Sequence, residues 1–540
     1  MTDDSQLLLH GGQVFTATGP DPWTDAVVTQ AGRIAAAGAL DELASRFPDA
    51  RWVDVEGRTV LPGLIDAHNH FLATGESLAS VDLRYPAVTS LDLIVQRLWA
   101  EADRTPVGER ITGFGYDDAK FQPVLTRWDL DRVSTTHPVI VHHVSGHHVF
   151  VNSTALAASG VTDDAPDPQG GRLVRGPDGR LTGQCLDAAM NLILPVSVDI
   201  GAHGPNFHTM TSLEKSVADV ERAGRAFLAA GLTTVCDAQV TRRELRAYRE
   251  ARSQGRLPVR TVCMPLSHQL GELTALGLAG PFGDDELCIG AMKFYADGSL
   301  IGGTASFAEP YGSCSEFEGS MYWPAAELQQ MIVAAHLEGW QVGVHVQGDQ
   351  AMSVVLEALE SAAARAPRDH RHRLEHAGFP TPHQIQRIAR LGASTINQPN
   401  YLHDSGDEFL ERLGERAHGL QPLRDELAAG VTVVLSSDSD VTSYRPLDTV
   451  QAAMVRRTRS GLPIGARQAL TLDESLRAHT ISAAYALRLE DRIGSLETGK
   501  LADLTVVDAD LPSTPIDEIS RATVWMTLLS GRIVHGPSVG

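Results

Sequence analysis

The chain has 540 residues, of which 43% are hydrophobic and 21% are charged. This is the composition of a globular protein with enough material for a large core and a second, smaller domain. The formal net charge of −22 argues against a nucleic-acid or anionic membrane surface as a partner, because both require clustered positive charge. We therefore expect a small-molecule substrate.

The N-terminus and the cysteines indicate the compartment. Residues 1–5 are acidic, and the short apolar stretch after them ends at Gly11, so no signal peptide is expected. No run approaches the roughly 18 consecutive apolar residues of a membrane helix. The five cysteines are scattered and form no C-x-x-C pair, which disfavours a disulfide framework or a thiolate zinc site. We expect a cytoplasmic protein.

Apolar runs of strand length recur along the whole chain. Short runs separated by turn signals fill the first sixty and the last fifty residues and predict one β-sandwich domain built from both termini. Between them, strand-length runs alternate with helical segments, which is typical of repeated βα units. The runs are 64–68, 232–236, 259–264, 289–294, 341–345, 371–376, 393–397 and 431–436. Eight is the number that a closed (β/α)₈ barrel requires.

The gap between the first and second runs is too long for one crossover connection. We therefore predict an α/β fold with a (β/α)₈ TIM-like barrel at 62–486, a composite β-sandwich from 1–61 and 487–540, and an insertion at 75–204. The insertion follows the first barrel strand, and we expect it to act as a lid or substrate subdomain.

Histidine and aspartate residues lie at the ends of four of these runs. His68 and His70 follow the first run, and residues i and i+2 of a strand point to the same face. His345 closes the fifth run, His376 closes the sixth, and Asp438 comes just after the eighth. Active sites of such barrels are assembled at the C-terminal ends of the strands, so we expect these five side chains to form one site.

The residue types indicate a transition metal. Imidazole and carboxylate ligands together suit zinc, iron or manganese rather than calcium, and a catalytic site keeps open positions for water. Lys293 lies between apolar neighbours in the fourth run, where a bare ammonium would be a costly buried charge. A salt bridge to an acid such as Asp297 is one way to offset that cost.

Five segments near the ends of the predicted strands form a recognisable set. They are Leu61-Pro-Gly-Leu-Ile-Asp-Ala-His-Asn-His70, Lys293-Phe-Tyr-Ala-Asp-Gly-Ser299, His345-Val-Gln-Gly-Asp-Gln-Ala351, Arg373-Leu-Glu-His376 and Ser437-Asp438-Ser439. In this order they resemble the amidohydrolase superfamily, and specifically its N-substituted formamide deformylase-like branch, over essentially the whole chain.

The resemblance implies a metal-dependent hydrolase with two divalent ions, zinc being the first expectation. In related binuclear enzymes the lysine of the fourth strand is carboxylated, and its carbamate bridges the two ions. The implied ligands are His68, His70 and Asp438 for one ion, His345 and His376 for the other, and carboxylated Lys293 between them. The implied reaction cleaves a non-peptide C–N bond of an amide or N-substituted formamide by attack of a metal-bound hydroxide, with Asp438 as general base and then general acid.

Further residues are candidates for contact with the substrate. Segments 113–118 and 144–152 resemble family segments near the substrate, and Gln398 ends the seventh barrel strand. The expected substrate contacts are Tyr116, Asp118, His147, Asp297 and Gln398. The family also implies a homodimer that acts on a small amide-type molecule.

Two alternatives remain open. A mononuclear aminohydrolase acting on a cyclic amidine would share the barrel, but such relatives typically lack the bridging lysine. They also carry a glutamate soon after the fifth-strand histidine, where this chain reads Val346-Gln-Gly-Asp349. An inactive scaffold on the same fold is the other alternative, although here every ligand position is filled. Relatives often carry Ser-Pro where this chain has Ser439-Asp440, and we expect Asp440 to face solvent.

Overall fold

The computed structural model describes residues 6–146, 148–168, 171–312 and 318–537. The chain divides into two compact units. The first contains the residues up to Phe71, the segment Gly224–Val240 and the residues from Tyr248 onward. The second contains Leu72–Ala223 and Thr241–Ala247. Within the described ranges, no helix is long and apolar enough to cross a membrane.

The elements of the first 230 residues begin with short strands and continue through the second unit. Up to the first histidine pair they are β1 (Leu7–Phe15), β2 (Trp23–Gln30), β3 (Arg33–Gly38), α1 (Leu40–Arg46), β4 (Arg51–Asp54), β5 (Thr59–Pro62) and β6 (Leu64–Asn69). They continue as α2 (Phe71–Leu78), β7 (Val81–Asp82), α3 (Leu91–Ala102), β8 (Ile111–Tyr116), α4 (Arg127–Asp131), β9 (Val139–His143), β10 (His148–Val151), α5 (Ser153–Ala158), β11 (Gly171–Arg175), β12 (Leu181–Asp187) and α6 (Leu213–Ala229).

The remainder of the chain alternates strands with helices and ends in three strands. The first elements are β13 (Leu232–Val240), α7 (Arg242–Ser253), β14 (Arg260–Pro265), α8 (Leu270–Ala275), β15 (Phe282–Gly283), β16 (Leu287–Ile289), β17 (Met292–Tyr295), α9 (Ala325–Leu337), β18 (Val342–Val346) and α10 (Asp349–Arg365). They are followed by β19 (Arg373–His376), α11 (Pro382–Leu391), β20 (Ser394–Asn397), α12 (Asn400–Asp404), α13 (Gly406–Leu413), α14 (Leu423–Ala428) and β21 (Thr432–Leu435). The last elements are α15 (Pro446–Val455), α16 (Leu472–Ala478), α17 (Ile481–Ala486), β22 (Leu504–Val507), β23 (Val524–Leu529) and β24 (Arg532–His535).

The terminal strands share one sheet in the order β24-β23-β22-β5-β1-β2-β3, and β4 pairs with β1. Alternate residues of β1 pack on opposite faces, as a strand requires. Leu7 and Leu9 join an apolar cluster that includes Met526 and Leu528 from the C-terminal end, whereas Leu8 packs in a second cluster beside α1. Side chains from both ends of the chain therefore share one core.

The barrel consists of two runs of parallel strands, β6-β13-β14-β16 and β17-β18-β19-β20-β21, and β15 pairs antiparallel with β16. Leu266 forms a parallel bridge with Lys293, which connects the third strand to the fourth. Asp438 N donates to His68 O over 2.9 Å, and His70 N donates to Ser439 O over 2.6 Å. These bonds close the ring between its last and first strands.

The fourth barrel strand differs from the single run expected at 289–294. It is split into β16 and β17 by Gly290 and Ala291. Gly290 N donates to Cys263 O of β14 over 2.8 Å, while β17 pairs with β18. The interruption separates the segment that follows the third strand from the one that carries Lys293.

Strand alternation decides which side chains point into the barrel. Met292 and Phe294 of β17 and the valines of β18 pack in one apolar cluster with residues of α9 and α10. Lys293, Tyr295 and His345 alternate with these residues, so they lie on the opposite, interior face. The alternation of apolar and polar residues along these strands therefore places the polar side chains inside the barrel.

The second unit contains a six-stranded sheet in the order β11-β12-β10-β9-β8-β7. Its apolar core includes Tyr116, Phe121 and Phe150. It lies between β6 and β13 in the chain. The predicted fold class is thus confirmed: a barrel, a β-rich region built from both termini, and an insertion after the first barrel strand.

Candidate metal centre

Ligand-type atoms from the first and last barrel strands meet at the carboxyl end of the barrel. His68 Nε2 lies 3.4 Å and His70 Nε2 lies 3.1 Å from Asp438 Oδ1. His376 Nδ1 is 4.0 Å from Asp438 Oδ2. His68, His376 and Asp438 each offer one ligand atom within 4.8 Å of the others, and all three residues are buried. The structure thus brings four of the six sequence-predicted ligands together.

Hydrogen bonds fix the tautomers of two of these histidines. His68 Nδ1 donates to Glu375 Oε2 over 2.5 Å, and His376 Nδ1 donates to Gln398 Oε1 over 2.8 Å. A neutral imidazole that donates through one nitrogen carries its lone pair on the other. The neutral rings of His68 and His376 therefore carry their lone pairs on Nε2, the form that binds a metal. The Nε2 atom of His68 faces Asp438 Oδ1 at 3.4 Å.

His345 lies beside these ligands with the opposite tautomer. Its ring centroid is 4.5 Å from that of His376, and its Nε2 donates to the carbonyl of Gly298 over 3.0 Å. The lone pair of the neutral ring is then on Nδ1. Its ring also stacks on Tyr295 at 4.9 Å, so its orientation is held from two sides.

Two of the ligand residues have unusual backbone conformations. His376 has φ of 70° and Asp438 has φ of 52°, in the left-handed region that non-glycine residues rarely adopt. By alternation His376 would lie on the same face as Leu374, which belongs to the outer apolar cluster. The positive φ turns its side chain to the other face. Strained residues of this kind cluster at functional sites.

Lys293 is the fifth predicted ligand, and its ammonium is fully buried. Within the described ranges, its Nζ has no hydrogen-bond partner, and it lies 4.6 Å from the centroid of the Tyr295 ring. Burial lowers the pKa of Lys293 to about 8, against the charges of Glu375 and Asp438, which raise it. The salt bridge to Asp297 considered from the sequence does not form.

The pKa values of the first-strand histidines differ. Burial, followed by the charge of Lys293, lowers the pKa of His68 to about 3, so this ring stays neutral at physiological pH. Burial also lowers the pKa of His70, but the hydrogen bond and charge of Asp438 outweigh it and raise the value, with a smaller contribution from Asp440. Asp440, expected to face solvent, is partly buried and acts on the site through His70.

The groups around Asp438 favour its ionised form. Burial favours its neutral form, but the hydrogen bond from His70 and the charges of His68 and His376 together hold the pKa of Asp438 far below its usual value. Tyr401 donates a hydrogen bond to Asp438 Oδ2. The hydroxyl thus holds one carboxylate oxygen while the other faces the histidines.

Two predicted substrate contacts in the barrel have structural partners instead. Asp297 is fully buried, and its carboxylate accepts backbone N–H groups from Ser306, Gln347 and Gly348 at 2.8–2.9 Å. Gln398 bonds to His376, and its amide nitrogen donates to Ser436 Oγ over 2.9 Å. Asp297 shapes the loops after the fourth and fifth strands, and Gln398 orients the ring of His376.

The predicted contacts of the insertion lie in the second unit. Tyr116 is fully buried in its core, where its hydroxyl accepts the N–H of Leu125 over 2.9 Å, a packing role rather than the expected substrate contact. Asp118 Oδ1 lies 3.3 Å from His143 Nε2. His147 lies outside the described residues.

Asp118 belongs to a second group of metal-ligand type, together with Asp117 and His143. Ser145 N donates to His143 Nδ1 over 3.1 Å, so the proton of a neutral His143 ring is on Nε2. The two carboxylates outweigh burial and raise the pKa of His143. This arrangement fits an ion pair between His143 and the carboxylates better than a metal site.

Sequence reasoning missed the roles of Glu375 and Tyr401. Glu375 is 307 positions from His68 in the chain, and only the folded barrel brings them together. A signal was present, because two charged residues in a buried strand of four, Arg373-Leu-Glu-His376, must be paired with each other or with a site. No comparable signal marks Tyr401.

The donor set fits a divalent metal. The Nε2 lone pair of His68 faces Asp438 Oδ1 at 3.4 Å, so two electron-rich atoms are directed at each other. A cation between them makes this arrangement favourable. Among the residues that the structure describes, the buried Lys293 Nζ has no hydrogen-bond partner.

Comparison with known proteins agrees with this chemistry. The amidohydrolase family model matches residues 51–535. The chain is 30% identical to the N-substituted formamide deformylase of Arthrobacter pascens over 542 residues, which cover 98% of each protein. The chain therefore belongs to the amidohydrolase family.

Solved structures point in the same direction. An uncharacterized metal-dependent hydrolase from Pyrococcus horikoshii OT3 superimposes with a TM-score of 0.76 at 25% identity, covering 95% of this chain and 99% of the other. A second such hydrolase, from Pyrococcus furiosus, gives a TM-score of 0.73 at 25% identity, covering 93% and 98%. The chain is thus a metal-dependent hydrolase that acts on carbon–nitrogen bonds.

Proposed function

We propose that this hydrolase uses two divalent metal ions and a carboxylated Lys293 to cleave the amide bond of an N-substituted formamide or a closely related amide, releasing an amine. The observation that carries the binuclear part of the proposal is the buried Lys293 Nζ, which has no hydrogen-bond partner in the described part of the chain. An ammonium in that position is costly, whereas a carbamate formed from the neutral amine and carbon dioxide would be a metal ligand. The similarity to the Arthrobacter pascens enzyme supports the substrate class.

The ligand assignment is the one that the resemblance to the family implies. His68, His70 and Asp438 would hold one ion, His345 and His376 the other, and the Lys293 carbamate would bridge them. When bound, such ions activate water as a nucleophile near neutral pH and polarise a carbonyl oxygen. Imidazole and carboxylate donors suit zinc, with iron and manganese as alternatives.

The protein's own residues would move the proton. Asp438 is ionised at neutral pH, so it can accept a proton from the attacking water. Tyr401 donates a hydrogen bond to Asp438 Oδ2, which orients the carboxylate. Asp438 then returns the proton to the leaving nitrogen, which is more basic than the carboxylate, as general base and then general acid.

A substrate panel tests this proposal. The purified protein, supplied with zinc, is assayed for amine release from N-substituted formamides, from the matching acetamides and from cyclic amidines. We expect the formamides to give the highest kcat/KM and Asp438→Asn to lower it by about 10²–10⁴-fold, the usual contribution of a general acid or base. Activity confined to the cyclic amidines would contradict the proposal and favour a deaminase.

A further inference from the structure

A buried ion pair contacts one of the predicted metal ligands, His68. Arg373 and Glu375, both on β19, are essentially inaccessible to solvent. Arg373 Nε donates to Glu375 Oε1 over 2.7 Å, and its Nη2 donates to Glu375 Oε2 over 3.0 Å. This two-pronged contact fixes the plane of the carboxylate.

The pair contacts the first barrel strand at two adjacent residues. Glu375 Oε2 accepts the Nδ1 proton of His68 over 2.5 Å. Arg373 Nη2 donates to the carbonyl of Ala67 over 2.6 Å. β19 and β6 are not neighbours in the barrel, so these contacts cross its interior. They hold the ring of His68 through the side chain and its backbone through the preceding residue.

A glycine in the neighbouring barrel strand leaves space for the carboxylate of Glu375. Gly343 of β18 lies next to Glu375, and a Cβ atom at this position would come within 2.8 Å of Glu375 Oε1 and closer still to Met264 Cε. Real Cβ atoms essentially never approach another atom so closely. A side chain at this position would push the carboxylate away from His68.

Stability alone does not explain the pair. A buried ion pair gains little over well-packed apolar residues, because desolvation offsets its Coulomb attraction. By contrast, a carboxylate on the far nitrogen of a metal-binding histidine fixes the tautomer and increases the basicity of the ligand. The main contribution of the ion pair is therefore to fix the tautomer of His68 and to increase the basicity of its ring.

We propose that Glu375, clamped by Arg373, is a positioning residue that presents His68 Nε2 to the metal and sets the affinity of the centre. The proposal rests on the proposed metal site. It predicts that removing the carboxylate weakens metal binding even where the fold is intact.

The experiment measures metal affinity directly by competition with a chromophoric zinc chelator, with no substrate present. The variants are Glu375→Gln, Glu375→Leu and the double replacement Arg373→Met/Glu375→Leu, which substitutes an apolar pair for the ion pair. Glu426→Gln is the matched control: Glu426 is a buried carboxylate that bonds to Thr395 and Asn397, with no hydrogen bond to a predicted ligand.

The affinities should fall in a defined order. The amide oxygen that Glu375→Gln introduces can still accept the His68 proton, so this variant is expected to bind zinc more weakly than wild type but more tightly than Glu375→Leu. We expect the leucine variant and the double variant to lose about 10–100-fold in zinc affinity, the usual effect of removing such a partner, and Glu426→Gln to match wild type.

The possible results distinguish the positioning role of Glu375 from the proposed metal site on which it rests. Circular dichroism and thermal unfolding of the metal-free proteins identify any variant that fails to fold. A folded double variant with wild-type zinc affinity would overturn the positioning role and leave an ordinary core ion pair. A wild-type protein that binds no zinc, iron or manganese would instead overturn the proposed metal site.

Discussion

His376 donates its Nδ1 proton to Gln398 Oε1 over 2.8 Å, and this contact is what leaves its Nε2 lone pair for a metal. Gln398→Leu removes the acceptor, so the ring can rotate or change tautomer. We expect metal affinity to fall about 10–100-fold, measured by chelator competition. Gln468→Leu is the control, because Gln468 is equally buried but bonds to Asp425 and the backbone of the neighbouring helix. An unchanged affinity in Gln398→Leu would assign Gln398 a packing role only.

Lys293→Ala should lose bound metal and activity together, because the bridging anion cannot form without the amine. Metal content by elemental analysis and amine release from a formamide substrate check this. Formate or acetate in the buffer should restore part of both, since a small carboxylate can occupy the space of the missing carbamate. A variant that keeps its metal would show that the lysine is structural.

The metal-free protein should become more stable between pH 8 and pH 10. The pKa of Lys293 is about 8 in the folded protein, against an ordinary value of 10.5. Within this window the unfolded chain binds the proton and the folded chain does not, so the free energy of unfolding rises with pH. At about 1.4 kcal/mol per pH unit, wild type should gain about 3 kcal/mol relative to Lys293→Met.

Urea unfolding in carbon dioxide-free buffer measures this difference. Below pH 8 Lys293 is charged in both the folded and the unfolded chain, so the full cost of burying the ammonium lowers the free energy of unfolding. Parallel stability curves for wild type and Lys293→Met would mean that the ammonium is solvated or paired in solution.

Gly343→Ala should destabilise the protein and weaken metal binding at once. The added methyl group would displace Glu375, and overpacking of a core typically costs about 1–3 kcal/mol. Gly271→Ala is the control: Gly271 lies in α8, and a Cβ there would meet no atom within 4 Å. Urea unfolding and zinc titration of both variants test this, and equal behaviour of the two would contradict the close contact.

The barrel could be predicted from the sequence because its signals are local. Apolar runs such as the one before His68 are readable without knowledge of their neighbours, and a histidine at the end of such a run is placed by the strand that carries it. The interruption at Gly290 could not be predicted, since it depends on which strand each half of the fourth strand pairs with.

Most of the features that could not be predicted from the sequence are contacts between residues that are far apart in the chain. Glu375 acts on His68 across the barrel, and Tyr401 acts on Asp438 from a helix after the seventh strand, so neither partner can be read from spacing. The resemblance of segment 113–118 to family segments predicts that Tyr116 lies near the substrate, yet its ring packs against Phe121 and Phe150. The domain boundaries, the lid role of the insertion and the homodimer remain predictions.

The most direct test of the central claim is the metal content of the purified wild-type protein, determined by elemental analysis after growth with zinc and with bicarbonate in the buffers. We predict about two metal ions per chain, falling to one or none in Lys293→Ala. A wild-type protein that hydrolyses its substrate with no bound metal, or that holds a single ion irrespective of Lys293, would contradict it.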